Sequence, residues 1–468
     1  MTDSLRPKIG LLALTLELYE TLVPGLRESR ESWLQQSVIP DLQASCDVLF
    51  NAAVFRRETI EKAMAQFEAV GADAVLVVYL TYAPSQLALP ALCRTRLPIA
   101  IWNTQQLERV NEAFSVASMI DNHGVHGTQD LASVLTRAEV PFHYVTSLPD
   151  DSAGLTDLTD FFAAACAASR LRRARLGLLG YPFPGMGDFA VDTTHMAATL
   201  GCSWLHLSVE EYVDRSAAAA DDDVQDLVAD YRDQYEVASD VTSVDLESTA
   251  RAELAVRGMV HDNALDALTY QFLAFGEDQR VSTLPFVAAS RLMADGIGFG
   301  GEGDLIAAAG TAFLNWLQPP ATFSEMFTID FAGQSLFMSH MGEANVNMAR
   351  RDRRVPLVAR PTPITRTRDR QLALVTCLEP GEATFAALTL GPQSRWRWIV
   401  SQVTIENFGP LPNFCVPHFK MRPSTSVAEF LTRYARAGGP HHNAVCWGDA
   451  RRKLRMAADL CGAEYCEV

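Results

Sequence analysis

The stretch Ala74-Val-Leu-Val-Val-Tyr-Leu80, followed at once by Thr81-Tyr-Ala-Pro-Ser85, decides the fold class. A short apolar run closed by turn-forming residues reads as a buried strand. Working outward, similar runs recur at 9–14, 47–54 and 98–103, and the amphipathic segment 58–70 lies between two of them as a helix. Strands that alternate with helices pair in parallel through crossover connections. In an open sheet of this kind ligands sit beyond the carboxyl ends of the strands, which here are the segments near 15–20, 81–85 and 102–106.

A chain of 468 residues exceeds what one core organises, so two or three domains are expected. A second unit starts where the Arg-rich segment 170–175 leads into the apolar run 176–180 and the turn-rich loop Tyr181-Pro-Phe-Pro-Gly-Met-Gly-Asp188. A strand at 203–207 follows, and then the acidic, helix-like stretch 217–229, which reads as a solvated face. The helical segment 284–296 ends in Gly296-Ile-Gly-Phe-Gly-Gly-Glu-Gly-Asp304, before a further apolar helix at 305–317. After Pro319-Pro320 the character changes to short β-like runs, among them 372–377, 384–390 and 396–404, closed by helices at 427–437 and 451–462. The expectation is an α/β protein: two doubly wound parallel-sheet domains of Rossmann or flavodoxin type, 1–170 and 171–320, and a β-rich C-terminal domain, 321–468.

Acidic residues outnumber basic ones 56 to 39, a net charge of −17 that repels phosphate backbones and speaks against nucleic-acid binding. No apolar run approaches the ~20 residues a bilayer span needs, and the first residues lack an apolar signal core, so no membrane association and a cytoplasmic location are expected. Nine cysteines without CxxC spacing argue against a disulfide framework and against a thiolate zinc site.

Four weak signals carry chemistry. The glycine-rich loop superficially resembles a dinucleotide fingerprint, but no strand is expected before it, and Glu302 would set negative charge against a pyrophosphate. Glu302 and Asp304 equally suit the dipole of the helix that follows. Glu325 and His340, fifteen residues apart, could converge across a hairpin. His441-His442 follows Gly438-Gly-Pro440 on a turn, where adjacent histidines bind metal or simply cap a loop. Two carboxylates with two imidazoles form a mixed oxygen and nitrogen set suited to Mn²⁺, Co²⁺ or Mg²⁺.

In combination these segments resemble the L-arabinose isomerase family: Gly301-Glu-Gly-Asp304, Glu325, Ser339-His-Met341 and Gly439-Pro-His-His442 agree in order, spacing and context. Leu18-Tyr19, Asn122, His126-Gly127, Gly187-Asp188, Phe275 and Arg291-Leu-Met293 support the match, which runs from about residue 9 to 447. The resemblance implies a fucose/arabinose isomerase-like fold and an aldose–ketose isomerase acting on an open-chain monosaccharide through a cis-enediol. It implies Glu302, Glu325, His340 and His442 as ligands of a divalent cation, usually manganese, with Glu302 and Glu325 also the acid/base pair. His441 is the less favoured ligand of the tandem. A trimer or hexamer with active sites between subunits is implied as well, the lid of each site carrying Leu16, Leu18, His123 and His126.

Departures bear on the sugar. Leu16 and His123 stand where the family has glutamines, and Ala190 stands near a family methionine, while Phe275 is retained among the substrate-binding positions. A site that loses an amide donor can reject a substrate hydroxyl by orders of magnitude, so the expected substrate is an aldose other than L-arabinose. A sugar epimerase on the same metal site and a non-catalytic sugar-binding paralogue are the alternatives.

Overall fold

The computed structural model of the chain describes residues 6–276, 278–361 and 364–468. It divides into two compact units, one ending at Ser169 and one spanning Arg170–Val468.

The first unit is a five-stranded sheet of β1 (Lys8–Leu14), β2 (Asp47–Leu49), β3 (Ala74–Tyr79), β4 (Ile99–Asn103) and β5 (His143–Thr146). Its order is β2-β1-β3-β4-β5 and every pairing is parallel. All six side chains of β3 are buried, as an unbroken apolar strand covered on both faces requires. The helix Arg57–Ala69 packs Ile60, Met64 and Phe67 on the sheet. The strand expected over 47–54 is shorter than its apolar run. Its pairing ends at Leu49, and Val54 returns only as an isolated bridge to Leu14.

The second unit opens with β6 (Arg175–Leu179), β7 (Ser203–Leu207), β8 (Glu236–Val237), β9 (Ala267–Tyr270) and β10 (Gly298–Gly300). The order β10-β9-β6-β7 makes a second parallel sheet. The acidic stretch 217–229 is helical as expected, divided between two helices, Val209–Ala218 and Asp221–Gln234. One expectation is corrected. The glycine-rich run itself contains a strand, since β10 pairs with β9 before the chain turns into the helix Leu305–Leu317.

Beyond that helix come β11 (Ala321–Asp330), β12 (Ser335–Ser339), β13 (Pro356–Ala359), β14 (Leu372–Leu374), β15 (Gly381–Leu390), β16 (Trp396–Ile405), β17 (His418–Pro423), β18 (His442–Trp447) and β19 (Glu464–Glu467). Six of them follow the antiparallel order β15-β18-β11-β12-β17-β16, and β15 pairs again with β16, so the sheet closes on itself. The residues Leu336, Met338, Phe385, Val403, Phe419, Met421 and Val445 form a buried cluster of these strands. Closure removes the open edges that a sheet of this size otherwise exposes. Phe323 of β11 belongs instead to the buried cluster of the parallel-sheet region, so that face of β11 meets the end of β10.

Candidate metal centre

The antiparallel register of β11 fixes the first part of the centre. Glu325 lies opposite Ser339 of β12 on one side and His442 of β18 on the other, and His340 is the residue after Ser339. The convergence expected of Glu325 and His340 across a hairpin is therefore present, and β18 adds the second imidazole.

Glu302 arrives from the turn between β10 and the helix Leu305–Leu317. Its φ is +60°, a left-handed conformation costing on the order of 1 kcal/mol for a residue with a side chain. Two hydrogen bonds hold its carbonyl, from the Phe183 amide at 2.9 Å and Gln271 Nε2 at 3.3 Å. Gly303 follows at φ +83°, where a Cβ would fall 2.6 Å from the Tyr181 carbonyl and Pro182. A Cβ at Gly301 would lie 2.7 Å from His340 Nε2, so this glycine keeps the space in front of the imidazole clear.

Each of the three imidazoles is oriented through Nδ1 by a carboxylate. His340 Nδ1 contacts Glu343 Oε2 at 2.6 Å, and the other Glu343 oxygen accepts from the Tyr270 hydroxyl. His442 Nδ1 contacts Asp304 Oδ2 at 2.9 Å, while Asp304 Oδ1 caps the helix by accepting from the Ala307 amide at 2.8 Å. His441 Nδ1 contacts Asp188 Oδ2 at 2.5 Å, and that oxygen also accepts from the His441 amide at 3.0 Å. A carboxylate on Nδ1 fixes the Nδ1–H tautomer of a neutral ring and leaves the Nε2 lone pair outward, the arrangement common to metal-ligating histidines.

The Nε2 atoms meet this description. Those of His441 and His442 are buried without a hydrogen-bond partner, lying 3.8 Å and 3.6 Å from Glu302 Oε2. The candidate ligand atoms fall into two triads that share His442: Glu325, His340 and His442, and Glu302, His441 and His442, each with its atoms within 4.8 Å of one another. An unpaired buried nitrogen costs about 1–3 kcal/mol, which a cation in either triad would relieve. The Phe323 ring stands edge-on 4.8 Å from His340 and 5.0 Å from His442, and Phe189 stacks 5.5 Å from His442.

The charges sort accordingly. Burial pushes the Glu302 carboxyl up, but His441 and His442 beside it and the charge of His340 outweigh it and bring it down to about 2. Burial lowers His442, yet Asp304 and Glu302 raise it to about 9. In the absence of a cation, protons and carboxylates thus balance one another in this pocket.

The remaining expected positions fall elsewhere. Leu16, Leu18, His123 and His126 gather at the carboxyl edge of the first unit's sheet. There the Leu16 amide donates to Thr81 Oγ1 at 3.2 Å, and His126 Nδ1 lies 2.5 Å from His123 Nε2, with Tyr82 against both rings. Leu18 is exposed. Ala190 is exposed in the loop that carries Asp188 and Phe189. Phe275 is corrected: it is fully buried, edge-on to Tyr212 and Tyr270, and offers no surface to a sugar. Glu343 gave no sign in the sequence beyond lying three residues past His340. The pairing of Asp188 with His441 spans 253 residues.

Comparison with known proteins identifies the family. Residues 186–318 match the L-arabinose isomerase central domain, and residues 320–464 match the L-arabinose isomerase C-terminal domain. The chain is 27% identical to the L-arabinose isomerase of Acidothermus cellulolyticus over 85% of its own length and 81% of that protein. It is 26% identical to that of Mycolicibacterium smegmatis over 83% and 78% of the two chains, and 26% identical to that of Thermotoga neapolitana over 85% and 80%. The chain belongs to the L-arabinose isomerase family of sugar isomerases.

Proposed function

We propose that this enzyme is a divalent-metal-dependent aldose–ketose isomerase that works on an open-chain monosaccharide through a cis-enediol, with Glu302, Glu325, His340 and His442 as the residues that hold the cation. The observation that carries the reading is the pair of glutamates beside carboxylate-oriented imidazoles, of which His442 is buried with its Nε2 unpartnered. The mixed carboxylate and imidazole set suits Mn²⁺, Co²⁺ or Mg²⁺. When bound, such an ion polarises the sugar carbonyl and fixes adjacent oxygens.

The chain's own residues supply the proton chemistry. One glutamate takes the proton from C2 of the aldose, and it is returned to C1, while a hydroxyl proton passes from O2 to O1; the ketose has the same atoms as the aldose. Glu302 is ionised at neutral pH beside its histidine neighbours, the form that can accept a proton. Phe323 and Phe189 limit water around the imidazoles, which strengthens every charge interaction there.

Leu16, Leu18, His123, His126 and Ala190 set the choice of sugar, and the replacement of amides at 16 and 123 favours a substrate other than L-arabinose. Leu18, Leu22, Val110, Val116 and Met119 of the first unit are exposed, and the proposed assembly is a trimer or hexamer in which one subunit covers the site of another. Among the described residues no helix is long and apolar enough to cross a membrane.

The test is a panel of pentoses, hexoses, deoxy sugars and tetroses offered to metal-stripped protein reloaded with Mn²⁺, Co²⁺ or Mg²⁺. Ketose formed only with metal is expected. Full turnover in the stripped protein contradicts the reading, and solvent-deuterium exchange that yields a second aldose makes the enzyme an epimerase.

A further inference from the structure

His441 has no role in the four-ligand set, yet it is built like the two imidazoles that do. Its Nδ1 is held by Asp188 as that of His340 is by Glu343 and that of His442 by Asp304. Its Nε2 is buried, unpartnered and 3.8 Å from Glu302 Oε2. Glu302 groups with His441 and His442, whereas Glu325 groups with His340 and His442. The left-handed backbone of Glu302, fixed by Phe183 and Gln271, aims its carboxylate at the tandem histidines.

We propose that Glu302, His441 and His442 form a second seat for a divalent cation, which shares Glu302 and His442 with the four-ligand seat and is mutually exclusive with it. This rests on the reading of the cluster as a divalent-cation centre. Exclusivity follows from His442: with Nδ1 engaged by Asp304, the ring has a single lone pair on Nε2, which serves one cation at a time. The second seat offers one carboxylate oxygen and two imidazole nitrogens, a donor set that Mn²⁺ and Co²⁺ accept with water in the open positions. His442 is 1% exposed and its unpartnered Nε2 lies 3.6 Å from Glu302 Oε2, so the seat rests on a buried, pre-oriented imidazole. Two seats sharing Glu302 and His442 allow a single ion to occupy either position without leaving the centre.

The seats are separated by removing the first and asking what the second retains. Metal-stripped wild type, His340→Gln, His441→Gln and the double variant are titrated with Mn²⁺, and imidazole nitrogens coupled to the bound ion are counted by pulsed electron paramagnetic resonance. His340→Gln is expected to keep one Mn²⁺ coupled to two imidazoles. Adding His441→Gln is expected to remove one of these couplings and to weaken binding by a further tenfold or about that. Equal affinity and equal nitrogen count in His340→Gln and the double variant overturn the second seat while leaving the first intact. A wild type that binds no Mn²⁺ overturns the cation reading itself, and the second seat with it. Circular dichroism checks folding, and should His340→Gln fail to fold, Glu325→Gln disables the first seat and serves as the background for the same comparison.

Discussion

Two groups of histidines in this molecule are built on opposite plans. In the second unit His340, His441 and His442 each rest Nδ1 on a carboxylate, from Glu343, Asp188 and Asp304. In the first unit His123 and His126 contact each other at 2.5 Å, and His123 reaches only the Tyr19 hydroxyl, at 3.4 Å. Carboxylate backing raises the basicity of an imidazole and fixes its tautomer, which a cation requires. A pair that shares one proton presents instead a mixed donor and acceptor, which suits sugar hydroxyls. Burial and then the charge of His126 lower the His123 pKa, whereas His442 is raised to about 9. The residues that flank an imidazole, more than the imidazole itself, separate a ligand from a hydrogen-bonding contact.

The contrast is broken most severely at the acid/base pair. Glu302→Gln and Glu325→Gln are each expected to lower kcat by about 10³-fold or more while leaving a folded protein, because each loses a proton acceptor and a charged ligand. Near-normal rates in either variant would remove it from the chemistry. A smaller effect is expected one step out: Glu343→Gln should weaken Mn²⁺ binding about 10–100-fold through His340 alone, measured by titration of the stripped protein. An unchanged affinity would mean that the carboxylate behind His340 serves packing only.

The pH dependence sharpens the comparison further. An unfolded histidine loses its proton near 6.5, and His442 in the metal-free fold keeps it to about 9. Its contribution to stability is therefore complete below 6.5 and lost as pH rises through 9, so the thermal midpoint of the stripped protein should fall across that window. Because the proton competes with the cation, Mn²⁺ affinity should rise over the same range. Melting curves and titrations at pH 6.5 and 9 check both signs. The smallest effect on the metal is expected in the first unit, where His123→Gln should shift KM and the ranking of sugars and leave Mn²⁺ affinity unchanged within about twofold.

The alternating apolar runs made the parallel sheet of the first unit legible, because a strand buried on both faces must be apolar throughout, as 74–79 is. The helix over 305–317 was equally plain, since its apolar residues continue for more than three turns. The strand Gly298–Gly300 was hidden by its composition. Glycine carries no β signal, and these glycines are set by close packing on the following helix, where a Cβ at Gly300 would meet Ala308 N at 2.7 Å. The closure of the barrel through β15 and β16 was not legible either, because pairing partners leave no local trace.

At the centre, Glu302, Glu325, His340 and His442 were legible as candidates through their order and context, and the hairpin convergence of Glu325 with His340 followed from strand geometry. Their supports were not found. Asp188 meets His441 across 253 residues, and Asp304 had a sufficient local explanation as a helix cap. His418 and Lys420 lie on β17, outside the centre: His418 is buried with Nδ1 on the Val416 carbonyl, and Lys420 pairs with Asp330. Phe275 misled because retention of a position does not distinguish a sugar contact from a core ring.

The most direct measurement of the central claim compares Mn²⁺ binding in wild type, His340→Gln and His126→Gln, all stripped and titrated under one condition. If carboxylate backing marks the cation ligands, His340→Gln loses about tenfold or more in affinity and His126→Gln binds as wild type does. Equal losses in the two variants, or none in His340→Gln, would contradict it.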